Sequence, residues 1–538
     1  MLPQRPRPGQ SRRRRLERQI ARHRIKGTGS SGEPAISENS ITPMNRRGLS
    51  KSKIISFLQC PKRLWLETNR PELVPDDPAR ERVFSFGHRV GEVAQRLNPG
   101  GVLIEHQSDL ATALRATGEL LAAGNDQVLF EAAIEHDGVL VRADILELKR
   151  GKASLREVKA SGSVKPYHLS DAAIQAWVLG QSGLKVDSVS IQHIDTGFVY
   201  PGNEDYQGLL TDVPVTTDIK PLIEQVPEWV AQARRTLAAG EPKVVMGRQC
   251  ADPYPCPFVE YCTGLLPQND LPLTLLPNAG RTIPGLEAEG FRNLRDIPEG
   301  RLKSVNQERV RIAHVTGNSY FDVEVRKIMR QLDYPRTFFD FETVGFPVPI
   351  WKGTRPYQQV PFQWSMHVEG PRARTSHHEF LDLSGNLPAK PLVEALITAL
   401  PGEGPILAFN ASFEGKRLEE LGSLVPTHRR ALERARDRLV DLLPIARNHY
   451  YHPDMRGSWS LKAIMPTIPG GPDYEKLDDV QDGGSAQEAF FEAISSGTSP
   501  ERRKALDAAL RTYCKQDTEA LLILSRFLQG GEKPQARG

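Results

Sequence analysis

The segment Thr337-Phe338-Phe339-Asp340-Phe341-Glu342 constrains this chain more than any other. Its apolar character predicts a β-strand, and alternation along a strand places Asp340 and Glu342 on one face. Two carboxylates so close repel each other unless a cation neutralises them. Two later segments carry matching groups. Leu407-Ala408-Phe409-Asn410-Ala411-Ser412-Phe413-Glu414 reads as a strand passing into a helix. A last helix, predicted over about 500–528, carries Tyr513 and Asp517 four residues apart on one face. Taken singly, each of these pairs is ordinary surface decoration. The order strand, strand–helix, helix is what points to a shared site.

A second acidic set lies upstream. Strands are predicted at 128–134, 139–148 and 154–159, followed by a helix at 171–179. Asp144 falls on one strand and Glu157-Val158-Lys159 on the next, a separation compatible with a hairpin, and alternation aligns Glu157 with Lys159. Such a set suits phosphodiester hydrolysis: Asp144 and Glu157 as hard oxygen ligands for Mg²⁺ or Mn²⁺, and Lys159 to position water and offset developing charge. On these residues alone, a charged surface hairpin explains the pattern as well.

Cysteine placement adds a third feature. Cys250, Cys256 and Cys262 stand six residues apart among prolines, and Cys60 precedes Pro61 and a basic helix. Four thiolates can hold an iron–sulfur cluster or zinc; unpaired structural cysteines are the alternative. Five cysteines in 538 residues form no disulfide framework, and no signal sequence opens the chain, so a cytoplasmic location is expected.

Length predicts two or more domains. The segment 1–47 is Arg-rich and then Gly/Ser-rich, and is expected to be a disordered basic tail, as are the last residues, 531–538. Residues 48–265 and 334–530 form the two patterned halves. Between them, 266–333 carries Ile283-Pro284-Gly285-Leu286 with Gly290 and Leu294, read as a helical linker of short helices joined by glycine turns, either a phosphate-gripping helix-hairpin-helix-like module or a spacer. A net charge of +4 permits a polyanionic partner without requiring one.

Together, Asp144, Glu157, Lys159 and the four cysteines resemble the RecB-like branch of the PD-(D/E)XK nucleases, including the CRISPR-associated members with an Fe–S cluster. The resemblance covers about residues 49–265. It implies a restriction-endonuclease-like α/β domain in which Asp144 and Glu157 bind metal, Lys159 is the catalytic lysine and Gln175 supports the site. It further implies that Cys60, Cys250, Cys256 and Cys262 hold a [4Fe-4S] cluster, with zinc as the alternative, and that Glu131 is an auxiliary acid. One position departs from the family: Gly91 stands where a metal-binding histidine is usual, with His88 and Glu92 as neighbours able to substitute.

The second half resembles the DEDD exonucleases of the ribonuclease H-like α/β fold. That resemblance implies that Asp340, Glu342 and Asp517 bind two metal ions and that Tyr513 orients the attacking water. The remaining acid, normally Asp in N-x₃-D, is here Glu414 after Asn410. Asp441 and Ser460-Leu461-Lys462 resemble recurrent parts of that fold, with Asp441 read as structural. The whole arrangement, opened by Leu49-Ser50-Lys51-Ser52-Lys53 and including Trp351 to Phe362 after the acidic strand, looks like an uncharacterised bacterial family in which a RecB-like nuclease precedes a DEDD domain.

The expectation is therefore a metal-dependent nuclease acting on DNA rather than RNA, on single strands or ends, in repair, recombination or defence. Lys62, Arg63 and Lys352 are expected to meet phosphates, and Trp65 to stack bases. The contrasting expectation is a non-catalytic Fe–S protein that binds nucleic acid or senses redox state, its nuclease centres decayed.

Overall fold

A computed structural model describes residues 48–105, 109–266, 269–477 and 479–530. The tails expected at 1–47 and 531–538 lie outside the described residues. The fold is mixed α/β, with two main sheets.

The first sheet comprises β1 (Leu49–Ser50), β2 (Val102–Leu103), β3 (Gln127–His136), β4 (Val139–Lys149), β5 (Lys152–Lys159), β6 (Val186–Ile194) and β7 (Leu210–Pro214). Their order is β2-β3-β4-β5-β6-β7, with β1 parallel to β4. β3, β4 and β5 form an antiparallel meander, while β5 and β6 are parallel. That parallel pair needs a crossover, which helix Pro166–Gln181 supplies. Further helices of this half include α1 (Lys51–Gln59), α2 (Pro61–Asn69) and α3 (Pro78–Arg96), and the crossover helix is named α4. Ser50 caps α1, accepting a hydrogen bond from the Lys53 amide at 3.3 Å. One apolar core joins Leu129, Leu146 and Leu155 of the sheet to Ile174, Val178 and Leu179 of α4.

The second sheet has the order β11-β10-β9-β12-β13. Its members are β9 (Arg336–Val344), β10 (Val360–Glu369), β11 (Thr375–Leu381), β12 (Ile406–Ala408) and β13 (Leu439–Asp441); β8 (Tyr320–Phe321) pairs elsewhere with Tyr450–Tyr451. β9, β10 and β11 are antiparallel, whereas β12 runs parallel to both β9 and β13. Helices cover both faces, which explains why β9 is apolar on both. Phe338 and Val344 pack under the last helix, and Phe339 and Phe341 pack in a separate core with Leu392 and Leu418. Helices α5 (Val305–Thr316), α6 (Ser412–Leu424), α7 (Leu442–His449), α8 (Gly483–Ile494) and α9 (Pro500–Gly530) belong to this half.

The segment read as linker divides in two. Leu271 to Leu302 form a small core of their own, whereas Val310 and Ala313 of α5, with Val325 and Met329, join the main core of the second half. Trp351 to Phe362 also acquires a place. Val348 in the preceding loop packs with Val90 and Val93 of α3 and with Tyr200 and Tyr206. The Tyr200 amide donates to the Thr354 carbonyl at 3.0 Å, and the Gly353 amide to the Tyr200 carbonyl at 2.8 Å. The loop after the acidic strand thus docks the two halves together. Among the described residues no helix is long and apolar enough to cross a membrane.

Two candidate acidic centres and a four-cysteine cavity

Along β5, Ala153, Leu155 and Glu157 occupy alternate buried positions, so a carboxylate sits where a third apolar side chain belongs. Glu157 is only 1% exposed and survives there because every oxygen is engaged. Lys51 donates to Oε1 at 2.6 Å and Lys159 to the same oxygen at 2.7 Å, while Gln175 donates to Oε2. Asp171, one turn before Gln175 on α4, is shared by the same cations: Lys159 bonds it directly and Lys51 lies 3.2 Å from Oδ1. Asp144 accepts the Val158 amide through Oδ2 at 2.7 Å, just past the last β4–β5 ladder pair.

Electrostatics separate the two acids. Burial works against the charge of Glu157, but Lys159 and Lys51 together hold it well below the usual carboxylate range. Asp144 is driven well above that range by burial and then by the neighbouring Glu157 charge. Lys51 and Lys159 face three acids, Asp144, Glu157 and Asp171, so the centre is one positive charge short when all three ionise, which a divalent cation can complete.

Asp144, Glu157, Lys159 and Gln175 are therefore brought together, with Lys51 and Asp171 as members that sequence reasoning missed. Lys51 stands within the Leu49 to Lys53 run, but 106 residues separate it from Glu157. Glu131, Gly91 and His88 line the same cleft, about 360 Å³ in volume, with Asp144 and Lys159. Glu131 adopts a left-handed backbone, φ 56°, a conformation that costs a non-glycine residue energy and concentrates at functional sites. Glu92 lies outside that lining and pairs with Arg89 at 2.9 Å.

In the second centre, Asp340 and Glu342 lie on the α9 face of β9. Their cross-strand partners Ser365 and Gln363 reach α9 too, bonding Thr518 at 2.9 Å and the Leu510 carbonyl at 2.9 Å. These contacts fix the rotation of α9 so that Tyr513, Cys514 and Asp517 meet the strand. Asp340, Glu342 and Cys514 each offer a ligand atom within 4.8 Å of the others. Tyr474 donates to Asp517 Oδ1 at 2.6 Å, and Tyr513 is hydrogen-bonded to the same carboxylate.

Burial, followed by the charges of Asp517, Glu342 and Glu414, pushes Asp340 well above the carboxylate range. Glu342 is pushed up by burial and Asp517, against the opposing pull of Lys462. Lys462 sits over the rings of Tyr474 and Tyr513, at 5.5 and 5.6 Å, and donates to the Gln481 carbonyl. Glu414, on the first turn of α6, is 2% exposed and its Oε2 has no hydrogen-bond partner among the described residues; burial, then Asp441, raises it to about 8.

Phe341, between the two acids of β9, turns to the opposite core, so Asp340 and Glu342 share a face as alternation requires. Asp441 has a separate structural task. Its Oδ1 caps α7 through the Leu443 amide at 2.9 Å and accepts the Asn410 amide at 3.0 Å. Tyr474 and Cys514 are the members that sequence missed; Tyr474 opens a single 3-10 turn, Tyr474–Lys476, without periodic signal, 43 residues from Asp517.

The four cysteines line one small cavity with Leu66, Val244 and Phe258. The side-chain amide of Gln59, next to Cys60, ties the two cysteine-bearing segments by donating to the carbonyls of Gln249 at 2.8 Å and Tyr254 at 2.7 Å. Burial raises the thiols of Cys256 and Cys262. A single tetrahedral zinc draws its thiolates to about 3.8 Å from one another, as Zn–S bonds of about 2.3 Å require. Among the described residues the four sulfurs do not form a group within 4.8 Å of one another.

Three side chains expected to meet nucleic acid lie in or beside this cysteine region. Lys62 is buried and pairs with Glu241 at 2.8 Å, Arg63 pairs with Glu67 at 2.7 Å beneath Tyr254, and Trp65 donates to the Ala239 carbonyl at 3.0 Å. Lys352 is exposed on the docking loop, its stem against Gly202.

A family described as a domain of unknown function (DUF2779) matches residues 337–460, which contain Asp340, Glu342 and Glu414 but not Tyr513 or Asp517. The chain is similar to the uncharacterized protein MG366 of Mycoplasma genitalium, 23% identical over 219 residues, or 37% of this chain and 32% of that one. Its Mycoplasma pneumoniae homolog is 23% identical over 230 residues, 38% of this chain and 33% of the homolog. The chain thus spans about a third of the length of the curated relatives it matches. Among solved structures, the crystal structure of SSO0001 aligns over 48% of this chain and 99% of its own at 14% identity, with a TM-score of 0.22 that carries no argument about fold.

Proposed function

We propose that this protein is a metal-dependent nuclease with two hydrolytic centres, acting on DNA single strands or ends. One observation carries the reading: Asp340, Glu342 and Asp517 converge in a buried cluster where desolvation pushes all three carboxyls up and the charge of Asp517 raises Asp340 and Glu342 further. Such a cluster is costly unless protons or cations neutralise it. The topology supports it. An antiparallel β11-β10-β9 meander continued by parallel β12 and β13 suits a ribonuclease H-like domain, and a β3-β4-β5 meander, crossover helix and parallel β6 suits a PD-(D/E)XK core.

Asp340, Glu342 and Asp517, with Glu414 facing them, would hold Mg²⁺ or Mn²⁺ in the second centre; Asp144 and Glu157 would do so in the first. When bound, these ions supply a nucleophilic hydroxide and neutralise the leaving oxygen. The chain's own groups do the rest. Tyr513 and Tyr474 orient Asp517 from two sides. Lys159 keeps Glu157 ionised and presents an ammonium to the cleft. Cys60, Cys250, Cys256 and Cys262 suit a [4Fe-4S] cluster by donor type and by lining one cavity, and it would staple α2 to the segment before residue 265.

The test is Mn²⁺- and Mg²⁺-dependent cleavage of end-labelled single- and double-stranded DNA and RNA after anaerobic purification, with Lys159→Ala, Asp340→Ala and the double variant. Loss of a different product class with each single variant supports two working centres. A wild type that binds strands but cuts none with any metal leaves a non-catalytic Fe–S binding protein instead. That second reading has one observation in its favour: Lys51 and Lys159 already satisfy Glu157 without a metal.

A further inference from the structure

Helix α3 divides its faces between two tasks. Arg82 and Phe86, one turn apart, dock on α8 of the second half. Arg82 bonds Glu488 at 2.7 Å and the Gly484 carbonyl at 3.3 Å, and Phe86 meets Phe491 edge-on at 5.5 Å. The stripe Phe84, Gly87, His88, Gly91 and Gln95 lines the cleft of the first centre, the spacing of one helical face. The same turn of α8 that receives Arg82 reaches the second centre, because a Cβ at Gly483 would lie 3.9 Å from Glu342 Oε2. Arg82 and Phe86 face that turn of α8, while the cleft stripe lies on the opposite side of α3.

Phe84 stands at the end of the cleft stripe nearest that contact, and it is 70% exposed beside Val83 at 65%. Docking of Arg82 and Phe86 fixes the rotation of α3, so Phe84 is held into solvent at the mouth of an acidic cleft. An aromatic ring presented there has a π-face free for one kind of occupant that continues into a phosphodiester-cleaving site, an unpaired base. Base pairs in a duplex stack on each other and offer no such face.

Resting on the nuclease reading, we propose that Phe84 is a base-stacking residue that grips an unpaired nucleotide at the mouth of the Asp144–Glu157 cleft, making single-stranded nucleic acid the substrate class of that centre. Trp65, which the sequence suggested for stacking, is pinned by its own hydrogen bond.

The experiment measures affinity for a short single-stranded oligonucleotide carrying 2-aminopurine, and for a blunt duplex, with Ca²⁺ replacing Mn²⁺ so that binding is read apart from cleavage. Wild type, Phe84→Ala and Phe84→Trp are compared. Phe84→Ala is expected to weaken single-strand binding about 5-fold or more and to abolish 2-aminopurine quenching, while Phe84→Trp retains both. Duplex binding should be unchanged. Equal loss on duplex, or unaltered single-strand binding by Phe84→Ala in an enzyme that still cleaves, overturns the stacking role alone. A change confined to oligomeric state assigns the patch to a second copy and also overturns it. Wild type that neither binds nor cleaves any nucleic acid removes the nuclease reading and this inference with it.

Discussion

Lys51 and Lys159 place their ammonium groups on the same oxygen of Glu157, at 2.6 and 2.7 Å, and both also reach Asp171. Two cations thus stand among the three acids Asp144, Glu157 and Asp171. Removing one leaves buried negative charge unpaired. Lys51→Ala is expected to lower unfolding free energy by about 1–3 kcal/mol in EDTA, discounted from the fully buried case because Lys51 retains some exposure. Saturating Mn²⁺ should restore part of that loss, since a bound cation stabilises the native state by mass action. Denaturant titrations with and without Mn²⁺ check this; no recovery would mean that the acids do not hold a cation.

Gly91 can accept a side chain. A Cβ there meets nothing within 4 Å, and the residue lines the cleft. Gly91→His is expected to raise thermal stability modestly, because glycine in a helix interior costs roughly 0.5–1 kcal/mol relative to alanine. It should also raise Mn²⁺ affinity at the first centre by about tenfold or more, an imidazole being a good ligand beside carboxylates. Calorimetric titration of Mn²⁺ into Asp340→Ala and Gly91→His/Asp340→Ala isolates that centre.

Glu414 links stability to pH. Its carboxyl is raised to about 8, from an ordinary value of 4.5, so the folded chain holds that proton more tightly than the unfolded one. The stabilising effect is full below pH 4.5 and is lost as pH rises through about 8. Glu414→Gln keeps the shape and removes the titration. In EDTA its melting temperature should therefore exceed that of wild type at pH 8.5 by several degrees and converge with it near pH 5, as thermal unfolding across that range would read.

The cysteine cavity predicts a chromophore. Anaerobically purified protein is expected to be brown and to contain about four irons per chain. Cys256→Ala should lose the colour and most of the iron while Cys514→Ala, which is remote from that cavity, keeps both. Colourless protein with one zinc per chain would assign the site to zinc.

How the sequence foreshadowed these centres follows from periodicity. Asp340 with Glu342, Glu157 with Lys159, and Tyr513 with Asp517 lie two or four residues apart, so their shared faces follow from the rise of a strand or the pitch of a helix. Strands β3 to β5 and helices α4 and α9 were legible for the same reason. Gln175 and Glu414 came from resemblance, and their packing against Glu157 and toward Asp340 required the folded chain.

Local sequence thus determined which residues face together along one element, because backbone geometry alone sets that period. Only tertiary structure decided which faces meet. Lys51 reaches Glu157 because β1 pairs with β4 and delivers α1 to the site. Tyr474 reaches Asp517 from a short 3-10 turn, Lys62 and Arg63 line the cysteine cavity, and Trp65 bonds the Ala239 carbonyl. Contacts between distant segments are set by sheet order and core packing, whose energies are summed over many side chains and leave no mark in any short stretch of sequence.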